Sequence, residues 1–168
     1  MKQLEHTEIR NRQEKFPITI ICDAIRTPEN LGMCFRVAES FGVSKIYLHE
    51  RSIDIENRRV QRTSRNTIPQ VTYHQYSDLN QIIKQLKIEG NTIIGLEITN
   101  TSTPIKNFNF SLFSNLVLVI GSERNGISNL HVLDESIQIP MYGKNSSMNV
   151  IHSLAIALYE ITNQLTSS

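Results

Sequence analysis

The sequence lacks tryptophan and is poor in the residues that mark specialised protein classes. Its 168 residues include two cysteines, five prolines and seven glycines, and its 17 basic and 16 acidic residues nearly cancel. So few cysteines exclude a secreted disulfide scaffold, and a hydrophobic content of 39% with few glycines and prolines excludes a disordered or collagen-like chain. The net charge of +1 gives no reason by itself to propose a nucleic-acid or membrane partner.

Long apolar runs are also missing. None approaches the ~18 residues that cross a bilayer, and the charged N-terminus, MKQLEHTEIRNRQEKF, has no apolar signal region. We therefore expect a cytoplasmic protein without membrane association. Cys22 and Cys34 stand in apolar surroundings without CxxC spacing, which predicts reduced core thiols. The five histidines show neither HExxH nor Cys/His spacing, so no metal is predicted.

Alternating β-branched and amphipathic segments predict an α/β domain. The predicted strands are 18–22, 45–48, 70–73, 92–96, 116–120 and 137–139, and the predicted helices are 5–15, 31–41, 77–89 and 147–164. Strands that alternate with helices indicate a mostly parallel sheet with helices on both faces. Since no linker interrupts the chain, we expect a single domain over 1–168, with 1–16 as an N-terminal helical extension.

Polar residues and glycines follow three of these strands, at the edge where open parallel sheets bind ligands. They form N-x-G-x-x-x-R-x-A-x-x-F-G at 30–42, V-x-G-x-E-x-x-G-I-S at 119–128, and I-P-M-x-G…S-M-N-V at 139–150, with L-Y-E at 158–160. Taken alone, Asn30 is explained as a helix cap and Arg36 as a solvated side chain opposite the apolar stripe, and Ser146 or Ser147 is explained equally well as an N-cap. Neither GxGxxG nor a Walker motif occurs, which disfavours the standard phosphate loops.

In order and spacing, the three stretches resemble the motifs of the SpoU (TrmH-like, SPOUT class) RNA 2′-O-ribose methyltransferases, over nearly the whole chain. The resemblance implies a deep trefoil-knotted fold whose C-terminal part binds S-adenosylmethionine, and a homodimer formed through the first and last core helices. Ile151, Leu154 and Leu158 repeat at a spacing that suits such a seam, but an intramolecular core contact explains them equally well. The I-R-N-R-Q stretch before the first strand looks most like the branch that methylates tRNA.

The same resemblance implies roles for individual residues. Carried over by position, the catalytic set is Asn30, Arg36, Glu123, Ser147 and Asn149, and the cofactor contacts are Leu96, Ile120, Gly121, Ile139, Ser147 and Met148. The chain departs from the family at Met148, where leucine is usual, and at 151–152, where Ser-Val is usual. A guanidinium group with a pKa above about 12 is a poor general base, so we expect Arg36 to orient the ribose hydroxyl and clamp a phosphate. Asn30 is expected to hold Arg36 or the ribose, and Glu123 to fix a cationic partner or its own loop.

The net charge conceals an uneven distribution of arginine. Five of the ten arginines fall within fifteen positions: Arg51, Arg58, Arg59, Arg62 and Arg65. A solvated loop with local ion pairs is the plainer interpretation. Guanidinium groups bind phosphate bidentately, however, and in the family context we favour an RNA-docking surface, extended by Arg10 and Arg12.

RNA is therefore the expected partner, and tRNA is favoured over rRNA. Many rRNA enzymes of this family carry an extra N-terminal RNA-binding domain, for which 168 residues leave no room. Two alternatives stay open. One is methylation of an rRNA ribose or of a tRNA wobble ribose, and the other is a non-catalytic RNA-binding or assembly factor on the same fold.

Overall fold

The most apolar run of the chain forms the strand at the centre of the sheet. In the computed structural model, which describes residues 2–5 and 8–167, the strands are β1 Phe16–Cys22, β2 Val43–His49, β3 Thr72–Tyr76, β4 Thr92–Leu96, β5 Thr103–Pro104, β6 Leu116–Ile120 and β7 Glu135–Gln138. The helices are α1 Pro28–Ser40, α2 Arg58–Ser64, α3 Leu79–Ile88 and α4 Val150–Thr166. All neighbouring strands pair in parallel, in the order β3-β2-β1-β6-β4-β7-β5. The predicted α/β fold with a parallel sheet is confirmed.

Strand β6 is buried on both faces, which explains its unbroken apolar sequence. Leu118 and Ile120 pack into a core shared with α1 and α4, whereas Val117 and Val119 pack into a second core with α3. The core on the α1 side includes Cys22 and Cys34, which are free thiols with their Sγ atoms 3.6 Å apart. The alternation of side chains along β6 thus places helices on both faces of the sheet.

The apolar repeat on α4 belongs to the interior of the same chain. Ile151, Leu154 and Leu158 are buried in the core with α1 and the sheet. The intramolecular explanation of this repeat is therefore correct, and a dimer seam on α4 would have to use its opposite face.

The predicted helix at 5–15 is wrong. No described residue in this range belongs to an α-helix, and Gln13 has a positive φ of 53°; residues 6 and 7 lie outside the described part of the chain. The segment offers Ile9 as its one large apolar side chain, and a helix this short needs an apolar face packed on a core to be stable in water.

Other differences are smaller. Strand β3 begins after a 3-10 turn at Ile68–Gln70, strand β7 ends one residue earlier than predicted, and α4 begins at Val150 instead of 147. The arginine-rich segment contains a helix, α2, and Thr103–Pro104 adds an edge strand that the sequence did not predict. None of the described helices is long and apolar enough to cross a membrane.

Candidate active site

A cavity of about 550 Å³ opens where β4, β6 and β7 end and α4 begins. Five of the six predicted cofactor residues line it: Leu96, Gly121, Ile139, Ser147 and Met148. The sixth, Ile120, is buried in β6 immediately before the lining residue Gly121. The fold therefore gathers, at one edge of the sheet, positions that lie up to 52 residues apart in the sequence. Their role toward a cofactor stays a prediction.

The loop after β6 is folded tightly back on itself. Ser122 and Gly126 exchange two backbone hydrogen bonds, of 3.0 and 3.2 Å. A Cβ added at Gly121 would lie 2.1 Å from the carbonyl carbon of Gly126 and 2.4 Å from the nitrogen of Ile127. Gly126 has a φ of +65°, in the left-handed region. Both glycines are therefore required by the geometry of this loop.

Two carboxylates that sequence reasoning missed tie this loop to neighbouring strands. The Glu97 carboxylate accepts hydrogen bonds from the backbone N–H groups of Ile98, at 3.0 Å, and Ile127, at 3.2 Å, and it also lines the cavity. Asp23 is buried and accepts from the N–H of Ser128 at 2.6 Å. Each follows directly after a predicted strand, and that position was the signal that could have identified them.

Glu123, in the same loop, contacts the beginning of α1. Its carboxylate accepts hydrogen bonds from the backbone N–H groups of Arg26, at 3.1 Å, and Thr27, at 2.9 Å, and from Nδ2 of Asn30, at 3.0 Å. Partial burial raises the pKa of Glu123, but these hydrogen bonds outweigh it and hold the pKa below its ordinary value. Of the two partners expected for Glu123, a cation or its own loop, the cation is replaced by N–H donors, which suit an anion at a helix N-terminus.

Asn30 and Asn149 join the three motifs. Nδ2 of Asn149 donates to Oδ1 of Asn30 at 3.0 Å, so that Asn30 is held between Asn149 and Glu123. The side-chain oxygen of Asn149 also accepts from the N–H groups of Ile151 and His152 and caps α4. Asn30 lies inside α1 and does not cap it, and Ser147 lies before the cap of α4, so both cap interpretations are wrong.

Arg36 lies apart from this network. It is half-buried on α1, six residues after Asn30, which corresponds to about 9 Å of helix rise. Its side chain does not line the cavity, and the described residues provide no hydrogen-bond or ion-pair partner for its guanidinium group. The expectation that Asn30 holds Arg36 is therefore not met, and the guanidinium group is available to a ligand outside the chain.

The five arginines of the 51–65 segment are all exposed. Helix α2 packs so closely on α1 that a Cβ at Gly32 would lie 2.0 Å from Oγ1 of Thr63 and 2.5 Å from the carbonyl oxygen of Val60. One of the five, Arg59, pairs with Glu29 at 3.8 Å, at an exposed position where an ion pair contributes little. Arg10 and Arg12 line a different cavity, of about 1300 Å³, between the N-terminal segment and the ends of α1 and α4.

The described residues contain no group of three or more His, Cys, Asp or Glu side chains arranged to hold a metal ion. The cavity is lined by backbone groups, apolar side chains and individual polar side chains from three loops. This arrangement suits an organic ligand with both apolar and hydrogen-bonding parts.

Comparison with known proteins identifies similar sequences over most of the chain. The model of the SpoU rRNA methylase family matches residues 17–159. A Staphylococcus epidermidis protein assigned to the TrmH family of tRNA/rRNA methyltransferases is 29% identical over 159 residues, which are 94% of this chain and 63% of that protein. An uncharacterised tRNA/rRNA methyltransferase of Synechocystis is 32% identical over 154 residues, covering 90% of this chain and 39% of the relative. The chain thus spans about two fifths to three fifths of the length of these relatives.

Solved structures share the fold. The SpoU methyltransferase AviRb from Streptomyces viridochromogenes, in complex with AdoMet, aligns with a TM-score of 0.82 and 22% identity, covering 98% of this chain and 66% of that one. The TrmH/SpoU tRNA modifying enzyme of A. aeolicus aligns with a TM-score of 0.81 and 22% identity, covering 92% and 79%. A structure concerned with 2-OH methylation of C/U34 on tRNA aligns with a TM-score of 0.78 and 19% identity, covering 90% and 97%.

Proposed function

We propose that this chain, which belongs to the SpoU rRNA methylase family as its three motifs predict, methylates the 2′-oxygen of a ribose in structured RNA. In this proposal S-adenosylmethionine is the methyl donor and tRNA is the favoured substrate. The observation that carries the proposal is the single cavity that collects five positions implied by the motifs. Family membership supports RNA methylation; the ribose oxygen and the preference for tRNA are the finer parts of the proposal.

The residues of the cavity fit the methyl donor. A volume of about 550 Å³ lies within the range of about 300–1000 Å³ that is usual for small-molecule sites. Leu96, Ile139 and Met148 provide apolar surface for a purine ring, while Glu97 and Gln138 provide polar groups for hydroxyl and amino groups. Methionine in place of the usual leucine at 148 keeps the volume and the apolar character of the wall.

The transfer requires an aligned hydroxyl and an acceptor for its proton. When bound, S-adenosylmethionine supplies an electrophilic methyl group and leaves as a neutral thioether. The chain has to hold the ribose oxygen about 3 to 3.5 Å from that methyl group while an O–C bond forms and the hydroxyl proton departs. Asn30, which Glu123 holds, and Asn149 form a hydrogen-bonded amide pair where α1 and α4 begin, and in this proposal they position the ribose.

Arg36 acts on the RNA and not as a base. Because its guanidinium group stays protonated at neutral pH, we assign it to orienting the hydroxyl and clamping an adjacent phosphate, with the proton passing to phosphate or water. The exposed arginines of α2 extend this phosphate-binding surface, since α2 is packed directly on the helix that carries Arg36.

A homodimer through α1 and α4 is part of the proposal. The outer face of α4 carries Ile156, 41% exposed, and Tyr159, 63% exposed, next to His152 and Asn163. This partly apolar face is free to pack against a second chain, and pairing through α1 would bring Arg36 to the seam. Sedimentation of the wild type and of Ile156→Glu will test the dimer, since a charge on this face is expected to give monomers.

The trefoil knot and the cytoplasmic location also stay predictions.

An rRNA ribose methyltransferase is the second candidate, because the names of the relatives include both tRNA and rRNA. The decisive experiment incubates the purified chain with methyl-labelled S-adenosylmethionine and with separate tRNA and rRNA pools, followed by nuclease digestion and mapping of the labelled nucleoside. We expect a 2′-O-methylated nucleoside from tRNA.

Three outcomes would contradict parts of the proposal. Label in rRNA alone would exclude the tRNA preference, and label on a base would exclude ribose methylation. Failure to bind the methyl donor would favour a non-catalytic RNA-binding factor. Arg36→Lys tests the role assigned to Arg36, because it keeps the positive charge and removes the planar guanidinium group. A near-normal turnover at saturating RNA would exclude a planar guanidinium clamp.

A further inference from the structure

An exposed aromatic ring, Tyr142, belongs to the loop that lines one side of the cavity. Tyr142 is 91% exposed, more than any other large hydrophobic side chain among the described residues. Its neighbour Met141 lines the cavity, and so does Ser147 five residues later in the same loop. Isolated exposed rings are common on protein surfaces, so the position of this ring, and not its exposure alone, indicates a role.

Two exposed cations belong to the loops that form the cavity. Arg124 is exposed and lines the same cavity from the loop after β6, and Lys144 is exposed two residues after Tyr142. Neither forms an ion pair with any acidic side chain in the described part of the chain. We call Arg124, Tyr142 and Lys144 the rim triad. Exposed aromatic rings and unpaired cations in one surface region form the combination that binds single-stranded nucleic acid, since bases stack on the rings and phosphates pair with the cations.

We propose that Tyr142 is a stacking platform for an unpaired RNA base at the mouth of the cavity, and that Arg124 and Lys144 neutralise the phosphates beside that base. This inference rests on the proposed function, because it takes RNA as the ligand of the cavity mouth. For its 2′-hydroxyl to reach a cavity at the edge of the sheet, a nucleotide has to leave its helical stack, and the base then needs a new stacking partner. Tyr142 is the aromatic side chain that the loop 140–148 supplies there.

The absence of tryptophan from the sequence permits a direct optical test. Tyr142→Trp places a single tryptophan on the rim, and Ile88→Trp places one at a 79% exposed position on α3, away from this cavity, as the matched control. Both variants are titrated with a short unstructured RNA and with the same backbone lacking bases. We expect saturable quenching of Tyr142→Trp by the RNA that carries bases, weak or no quenching by the abasic strand, and no saturable change in Ile88→Trp.

Kinetics provide a second, independent measurement. Tyr142→Ala should raise the KM for RNA about tenfold, from the loss of one stacked base, and leave the KM for S-adenosylmethionine unchanged. Tyr142→Phe keeps the ring and should behave like the wild type. A rise in the KM for S-adenosylmethionine instead, or equal effects of the two substitutions, would show that the side chain serves the cofactor or the hydroxyl group, and would overturn the inference.

The failure of this inference and that of the proposed function give different results. RNA methylation by the wild type without quenching in Tyr142→Trp overturns the stacking platform and leaves the proposed function intact. Base-dependent quenching without methylation of any RNA supports the platform and overturns the proposed function. Quenching by S-adenosylmethionine alone, with none added by RNA, overturns the platform.

Discussion

The two loops that enclose the cavity are built in opposite ways. Hydrogen bonds hold the loop at 121–128 in several places. Within the loop they join Ser122 to Gly126. They also connect the loop to Glu97 after β4, to Asp23 after β1 and, through Glu123, to the start of α1. The loop at 139–148 makes no hydrogen bond or ion pair with any described residue before Asn149 caps α4. Hydrogen bonds to the rest of the chain thus fix one wall of the cavity, whereas the other wall is a loop held at its two ends.

The difference separates two tasks. A wall that orients a methyl donor and a ribose within fractions of an ångström has to be rigid before they arrive. The loop at 139–148 also supplies predicted cofactor positions, Ile139, Ser147 and Met148, and its exposed side chains leave it free to adjust when RNA binds. Matched positions in the two loops should therefore respond differently to substitution, and equal effects in both loops would contradict the distinction.

The largest difference is expected between Gly121→Ala and Gly143→Ala. At Gly121 the new methyl group would meet backbone atoms at 2.1 to 2.5 Å, which cannot move aside, so we expect a loss of about 3 kcal/mol or more of unfolding free energy. At Gly143 nothing lies within 4 Å, and the change should be within about 0.5 kcal/mol. Denaturant melts of both variants measure the difference; similar midpoints would mean that the tight turn at Gly121 is not formed.

Glu123→Ala should give the next largest effect. It removes an acceptor from two backbone N–H groups at the start of α1 and from Asn30, which we expect to cost about 2 kcal/mol. The measurement is again the unfolding free energy, with Asn145→Ala in the other loop as a control expected to be neutral. A neutral Glu123→Ala would show that water replaces these hydrogen bonds without cost.

The same residue gives a dependence on pH. Because hydrogen bonds hold the folded-state pKa of Glu123 below its ordinary value of 4.5, the stabilisation is present above about pH 4.5 and is lost as the pH falls through the folded-state value. The stability difference between the wild type and Glu123→Gln should therefore be largest near neutral pH and shrink in acid. A difference that grows in acid would contradict the assigned sign.

Much of the fold could be predicted from local sequence. Apolar runs such as 116–120 identified the strands, and motif residues at their carboxyl ends identified the edge of the sheet where the cavity opens. Helix α2 was not predicted because its seven residues bury two side chains, Val60 and Ser64, and show no apolar stripe. The helix predicted at 5–15 was the converse error. A charged segment was assigned a helix although it has no apolar face that could pack on a core.

The hydrogen-bond partners in the site were beyond prediction. Glu123 meets Asn30 across 93 positions, and Asn30 meets Asn149 across 119 positions. The motifs identified all three residues but not that they contact one another, and the expectation for Glu123 was a cationic partner or its own loop. Partners this distant in sequence are determined by the order of strands in the sheet, which side-chain periodicity does not reveal.

A smaller effect is expected where the loop at 139–148 joins α4. Asn149→Ala removes the cap of α4 and the hydrogen bond to Asn30, and should cost about 1 kcal/mol. Asn149→Asp keeps the capping oxygen but cannot donate to Asn30. If the amide pair positions the ribose, Asn149→Asp should retain most of the stability and lower kcat. Equal losses of stability in the two variants would instead assign the main role to the link with Asn30.

The smallest contrast compares two serines. The hydroxyl oxygen of Ser122 accepts from the N–H of Asn125 at 3.2 Å, so Ser122→Ala should cost about 0.5 to 1 kcal/mol. Ser146 makes no hydrogen bond with the described residues, and Ser146→Ala should be neutral. Thermal melts resolve this difference, and the reverse order would mean that the second loop is the better ordered one.

In our proposal the cavity between the two loops holds S-adenosylmethionine, and calorimetric titration of the purified chain measures this binding. We predict one saturable site per chain, competition by S-adenosylhomocysteine and none by ATP. Ser147→Trp, whose side chain would fill the cavity, should abolish binding, whereas Ser146→Trp, next to it but outside the lining, should leave binding intact. No saturable binding by the wild type, or undiminished binding by Ser147→Trp, would contradict the account.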